Sequence, residues 1–261
     1  MKGNGTLLAC LPGLLAVPLL AQPQIGGGNC STATLTGGYS ATLTGRALSS
    51  AVAFSITTES VGSVTFDGQS KVTFTLTNNT AKTLGTSQTL SGTYSLQANC
   101  TGSVTITTGD SATFSLEAYN QGNNYLLTGQ DGTYAFTGSG TALPATCPKT
   151  LNAGSYPVNG TGFGLASSAI SSVFNVLGIV QFSGASTMTM NLVLATNSGT
   201  KNISATGPYS LATSCSATAT LTDSSGASYA VTLVFTAANG NNFVIGSGSS
   251  GSIFTGTGRI L

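Results

Sequence analysis

Histidine and tryptophan are absent from this 261-residue chain, and Asp, Glu, Lys and Arg together make up only 5% of it. Without histidine there is no Ser-His-Asp triad and no Cys-His pair to activate a nucleophile. Zinc loses its commonest nitrogen ligand, and no two of the five cysteines are closely spaced, so no metal site is expected. Seven basic side chains face six acidic ones, and without Lys2 the balance is neutral. Nucleic acid is therefore a poor partner, because backbone phosphates require clustered Lys and Arg. The acids are Glu59, Asp67, Asp110, Glu117, Asp131 and Asp223. They form no matched pair in the two halves of the chain, as a duplicated glycosidase site would. Glycine-rich Gly246 to Gly251 is followed by no lysine and reads as turns rather than a phosphate loop. No catalytic residue and no cofactor is expected.

What the chain has instead is glycine, hydroxyls and 40% apolar residues in regular alternation. A disordered chain of this composition would lack the alternation. Residues 1–21 place Lys2 before a broken apolar run, Leu7 to Ala21, interrupted by Pro12, Gly13 and Pro18. The run is too short and too broken for a membrane-spanning helix and reads as a signal peptide, with cleavage after Ala21. The competing reading is a lipobox, Leu7 to Cys10, that would leave a lipoprotein anchored at Cys10. Residues 22–29, with Gly26, Gly27 and Gly28, read as a linker. No transmembrane segment is expected after the leader, and the expected location is extracellular or on the cell surface.

The stretch GTYSLQANCTGSVTI, Gly92 to Ile106, returns as GPYSLATSCSATATL, Gly207 to Leu221. VGSVTFDG, Val61 to Gly68, returns as LGIVQFSG, Leu177 to Gly184, and FTGSGTAL at Phe136 returns as FTGTGRIL at Phe254. The offsets of Cys30, Cys100 and Phe136 to their partners are 117, 115 and 118 residues. Periods this long signify duplicated domains rather than a solenoid, here residues 30–143 and 147–261. Four cysteines outside the leader allow three pairings. The repeat selects Cys30–Cys100 and Cys147–Cys215, one staple per module, as suits an oxidising compartment.

Within each module the signal has period two. Val72, Phe74 and Leu76 alternate with threonines, as do Met188, Met190 and Leu192 with Thr189 and Asn191. One wet face and one buried face mark antiparallel sheet. Asp67-Gly68, Asp131-Gly132 and Asn239-Gly240 sit between such runs and read as hairpin turns. About eight strands per module with short links predict an all-β chain of two tandem antiparallel up-and-down β-barrels. Two β-sandwiches are the alternative. One segment departs from this pattern: Ile170, Val173, Phe174 and Leu177 fall on a helical face. Here we expect a loop or short helix capping one end of the module, where module one has Leu48 to Ile56.

The combination V-G-x-V-x-F-D-G, G-T-Y-S-L-x-x-x-C-T-G (Gly92 to Gly102) and F-T-G-S-G resembles uncharacterised secreted repeat modules of soil bacteria. Those modules look like small barrels of the allene-oxide-cyclase or calycin kind. The resemblance covers nearly all of module one and is weaker in module two, where Ser183-Gly184 replaces Asp-Gly. It implies architecture and transfers no catalytic residue. The resulting expectation is a secreted, non-enzymatic repeat protein acting as a surface or matrix structural or binding module. The alternative is a carrier of a small apolar ligand, or a cyclase-like barrel enzyme. The expected partner is an extracellular or cell-surface polymer, or such a ligand. A solidly packed interior argues against a carrier; a cavity with convergent polar groups argues for one.

Overall fold

The computed structural model describes residues 29–48, 57–80, 83–109, 111–166, 169–183 and 186–260. The leader, most of the linker, Cys10, Asp110 and residues 49–56 lie outside them. Among the described residues, sixteen strands form two closed antiparallel barrels, and within each barrel consecutive strands are hydrogen-bonded to one another. Barrel 1 comprises β1 (Thr36–Ala47), β2 (Thr57–Asp67), β3 (Lys71–Thr80), β4 (Thr86–Leu96), β5 (Thr101–Ile106), β6 (Ala112–Tyr119), β7 (Asn124–Gln130) and β8 (Tyr134–Thr141). Barrel 2 comprises β9 (Gly154–Ala166), β10 (Ala169–Ser183), β11 (Thr187–Thr196), β12 (Gly199–Leu211), β13 (Ser216–Asp223), β14 (Ser228–Phe235), β15 (Asn242–Ser249) and β16 (Ser252–Arg259). Pairing of β1 with β8, and of β9 with β16, closes each sheet and removes its edges.

The inward phase of each strand is the apolar one. In barrel 1 it buries Tyr39, Leu43, Val64, Phe66, Phe74, Leu76, Tyr94, Val104, Phe114, Leu116 and Tyr125. In barrel 2 it buries Tyr156, Phe174, Phe182, Met188, Met190, Leu192, Leu233 and Phe243. Each large side chain removed from water contributes roughly 1.5–3 kcal/mol. The turns carry the residues that the hairpins need. The Asp67 carboxylate accepts the N–H groups of Gln69, Ser70 and Lys71 at 2.8–2.9 Å, with Gly68 at φ 77°. Asp131 accepts those of Thr133 and Tyr134 in the β7–β8 turn.

Disulfides join Cys30 to Cys100 and Cys147 to Cys215, with Cα atoms 5.0 and 4.6 Å apart. Cys100 and Cys215 each occupy a left-handed corner after a strand, at φ 66° and 58°. Cys100 N–H donates to the Gln97 carbonyl in that corner. Next to the first staple, one 3-10 turn (Thr32–Thr34) and Leu35 cover the end of barrel 1. There the Tyr94 hydroxyl donates to the carbonyls of Thr32 and Leu35.

The helical face expected around Ile170 to Leu177 is not a helix. These residues lie in β10, a strand of 15 residues. Phe174 points into the barrel, whereas Val173 and Leu177 point outward and are 61% and 66% exposed. The i, i+3, i+4, i+7 coincidence arose because the outward phase of this strand is apolar too. Two interleaved period-two patterns, both hydrophobic, contain a period of 3.6 by accident.

The barrels are packed against each other. The outer wall of β2 and β3 in barrel 1 meets the outer wall of β14, β15 and β16 in barrel 2. Val61, Glu59 and Asn79 are buried there. Gly246 and Gly248 give this wall its depth: a Cβ on Gly246 would lie 2.5 Å from Val61 Cγ1, and one on Gly248 2.7 Å from Asn79 Oδ1.

Candidate functional site

Barrel 1 is not filled along its whole length. At the end away from the disulfide lies a cavity of about 180 Å³. Leu43, Leu76, Leu90, Phe114 and Phe136 make its apolar wall, and Thr58, Ser60, Asn78, Thr80 and Gln88 its polar one. Asp131 and Tyr134 stand at the rim on the β7–β8 turn. Three adjacent strands, β2, β3 and β4, supply the polar wall, and strand alternation places it. From Val72, Phe74 and Leu76 the inward phase of β3 continues to Asn78 and Thr80. On β4, counting back from Leu96 and Tyr94 brings Leu90 and Gln88 inward. On β2, Phe66 and Val64 lead back to Ser60 and Thr58.

The two amides face each other. Asn78 Nδ2 donates to Gln88 Oε1 at 2.6 Å. Asn78 Oδ1 is buried and accepts no hydrogen bond. A buried polar atom left this way costs about 1–3 kcal/mol.

The corresponding region of barrel 2 has no such wall. Val61 matches Leu177 by sequence, and the registers Val61↔Thr77 and Leu177↔Val193 extend the match across β3 and β11. Leu76↔Gln88 and Leu192↔Ile203 then extend it to β4 and β12. Thr58, Ser60, Asn78 and Gln88 thus correspond to Phe174, Val176, Leu194 and Ile203, all four buried in the barrel 2 core. The mouth of barrel 1 is polar where barrel 2 is plugged with hydrocarbon. Barrel 1 thus has a cavity at this end, and the matching end of barrel 2 is lined by buried hydrocarbon.

The cysteines placed in pairs by the repeat are structural staples at the barrel ends, outside the cavity lining. Asp67 and Asp223 are committed to turns, and both are held below the ordinary carboxylate range. The Gln69 amide contributes most at Asp67 and the Ser225 hydroxyl most at Asp223. Among the described residues no three Cys, Asp or Glu side chains converge.

Glu59 is different. It points outward from β2 into the joint between the barrels and is 1% exposed. The hydroxyls of Thr44, in its own barrel, and Thr255, in the other, each donate to its Oε2 at 2.9 Å. Burial pushes its carboxyl up to about 7, against the opposing pull of those hydroxyls and of the Arg46 charge. Arg46 itself is exposed and lies over the Phe163 ring, 5.8 Å from its centroid.

Sequence reading missed the Asn78–Gln88 wall. The available signal was the inward phase of KVTFTLTNNT turning polar at Asn78 while TMTMNLVLAT stays apolar at Leu194.

No family model matches the chain, and no curated protein matches it. Among solved structures, the crystal structure of a protein of unknown function from the DUF3598 family of Nostoc punctiforme aligns over 87% of this chain and 97% of its own. The two share 11% identity, with a TM-score of 0.29. A likeness this loose carries no argument about activity.

Proposed function

We propose that the chain is a non-enzymatic, extracellular binding protein in which barrel 1 holds a small molecule and barrel 2 is a filled scaffold. The observation that carries this reading is the cavity of about 180 Å³, one of whose lining residues, Asn78, has an unpartnered side-chain oxygen. An engineered apolar cavity of roughly 150 Å³ is enough to bind benzene. The ligand is therefore ring-sized and uncharged, with an apolar body against Leu76, Leu90 and Phe114 and one hydroxyl or amine directed at Asn78. Two disulfides fit an oxidising compartment, and no helix among the described residues is long and apolar enough to cross a membrane. The calycin-like resemblance of module one agrees with a barrel that is built to hold a ligand. The matrix-structural reading places its weight on barrel 2, whose core is closed.

Titration with p-cresol and with toluene, read by calorimetry and thermal shift, tests the proposal. p-Cresol binds more tightly than toluene, and Asn78→Leu removes the difference. Equal responses from wild type and Asn78→Leu, or no binding of either probe, would sink it. Native mass spectrometry of the protein from its own host identifies any retained ligand.

A further inference from the structure

The outer wall of barrel 2 formed by β9, β10 and β11 presents Val173, Leu177, Ile179 and Val193 to solvent. They are four of the six large apolar side chains exposed among the described residues. Leu177 lies directly across from Val193, and Ile179 across from Pro157, with Asn159 and Asn191 beside them and Asn175 between Leu177 and Val173, so the wall is an apolar surface interrupted by amides. The three strands contain no charged residue. In barrel 1 the matching strands β1, β2 and β3 carry Arg46, Glu59, Asp67 and Lys71. An uncharged wall with this much exposed hydrocarbon is where a contact is expected.

The duplication says what kind of contact. Leu177 matches Val61, and Val61 sits in the joint between the barrels with no surface exposed. The same wall is thus an interface in module one and is bare in module two, where it is the more apolar of the pair: Leu177, Ile179 and Val193 replace Val61, Ser63 and Thr77. It cannot be covered by repeating the internal joint head-to-tail with the next copy. That joint needs Val234, Gly246 and Gly248, and by register the equivalent wall of barrel 1 presents Glu117, Thr128 and Gln130. A side chain at the Gly246 position would run into the incoming Val61, and Leu177 is larger still. A wall without charge does not repel its own copy, and a self-complementary patch closes about a two-fold axis without forming an open filament.

We infer that the chain forms a symmetric homodimer through the β9–β10–β11 walls of two barrel 2 modules, with Leu177 near the axis.

Sedimentation equilibrium of the wild-type chain over a range of concentrations gives twice the monomer mass at the upper end. Leu177→Asp halves that mass, and Thr65→Asp, on the outer wall of barrel 1, leaves it unchanged. If Leu177→Asp does not fold, Leu177→Ser reports the same loss as a weakened dimer. Wild type that stays monomeric at every concentration overturns the inference regardless of the variants. So does a dimer that survives both Leu177 substitutions, and so does a monomer isolated with a different protein seated on this wall.

Discussion

The two barrels repeat one pattern and differ at the ends away from their disulfides. Each has eight strands, one disulfide closing a loop of about 70 residues and an aromatic cluster at the disulfide end. Tyr39, Phe66, Tyr94 and Tyr125 form edge-to-face contacts in barrel 1, and Tyr156, Phe182, Tyr209 and Phe243 form a like cluster in barrel 2. The other ends have diverged. Barrel 2 closes with Phe174, Val176, Leu194 and Ile203, which need no partner. Barrel 1 keeps Thr58, Ser60, Asn78 and Gln88 around a void. The two copies thus differ in whether the end away from the disulfide is lined by hydroxyls and amides or by hydrocarbon.

Exchanging residues between the barrels tests that distinction. The largest effect belongs to Leu194→Asn, which puts the barrel 1 amide into the plugged core. Lost burial and an unsatisfied amide together cost about 5 kcal/mol, read as a lower denaturation midpoint. Next comes removal of a staple. Cys30→Ala with Cys100→Ala, or Cys147→Ala with Cys215→Ala, each costs about 4 kcal/mol in the chain-entropy account. The loops differ by only two residues, so the two losses are expected to be equal. Unequal midpoints in chemical denaturation would show that one module does not rest on its staple.

Glu59 gives the third test, because barrel 2 carries Asn175 at the matching position. Its folded carboxyl is raised from 4.5 to about 7, so between those values the folded chain holds more protons than the unfolded one. The stability contributed by this group is therefore fully present below about 4.5 and is lost as pH rises through 7, on the order of 3 kcal/mol. Glu59→Gln, which still accepts from Thr44 and Thr255, abolishes that slope; denaturation at pH 5 and pH 8 measures it. The smallest effect is the reverse exchange. Asn78→Leu with Gln88→Ile fills the mouth of barrel 1 as barrel 2 is filled and raises stability by about 1–2 kcal/mol, at the expense of p-cresol binding. A double variant that is less stable, or that still binds, breaks the comparison.

Much of this architecture could be read along the chain. Alternation in Val72-Phe74-Leu76, the Asp-Gly turns and the matched spacing of the cysteines are local signals, because strand phase and turn chemistry are written in neighbouring residues. The mouth of barrel 1 was harder. Asn78 and Gln88 lie on different strands and look like ordinary wet-face residues until register shows that both point inward. Glu59 gave no local sign at all: its burial comes from the other barrel, 196 residues away at Thr255. The stretch at Val173 to Leu177 misled for the opposite reason, since an apolar outer wall imitates a helix.

By itself, then, the sequence determined the class of fold, the duplication, the pairing of cysteines and the lack of histidine chemistry, all properties of residue type and spacing. Tertiary structure alone decided which barrel is hollow, which wall is covered and which is bare, and that Glu59 is enclosed. Those outcomes depend on whether atoms distant in sequence fill the same space, and local periodicity carries no record of that.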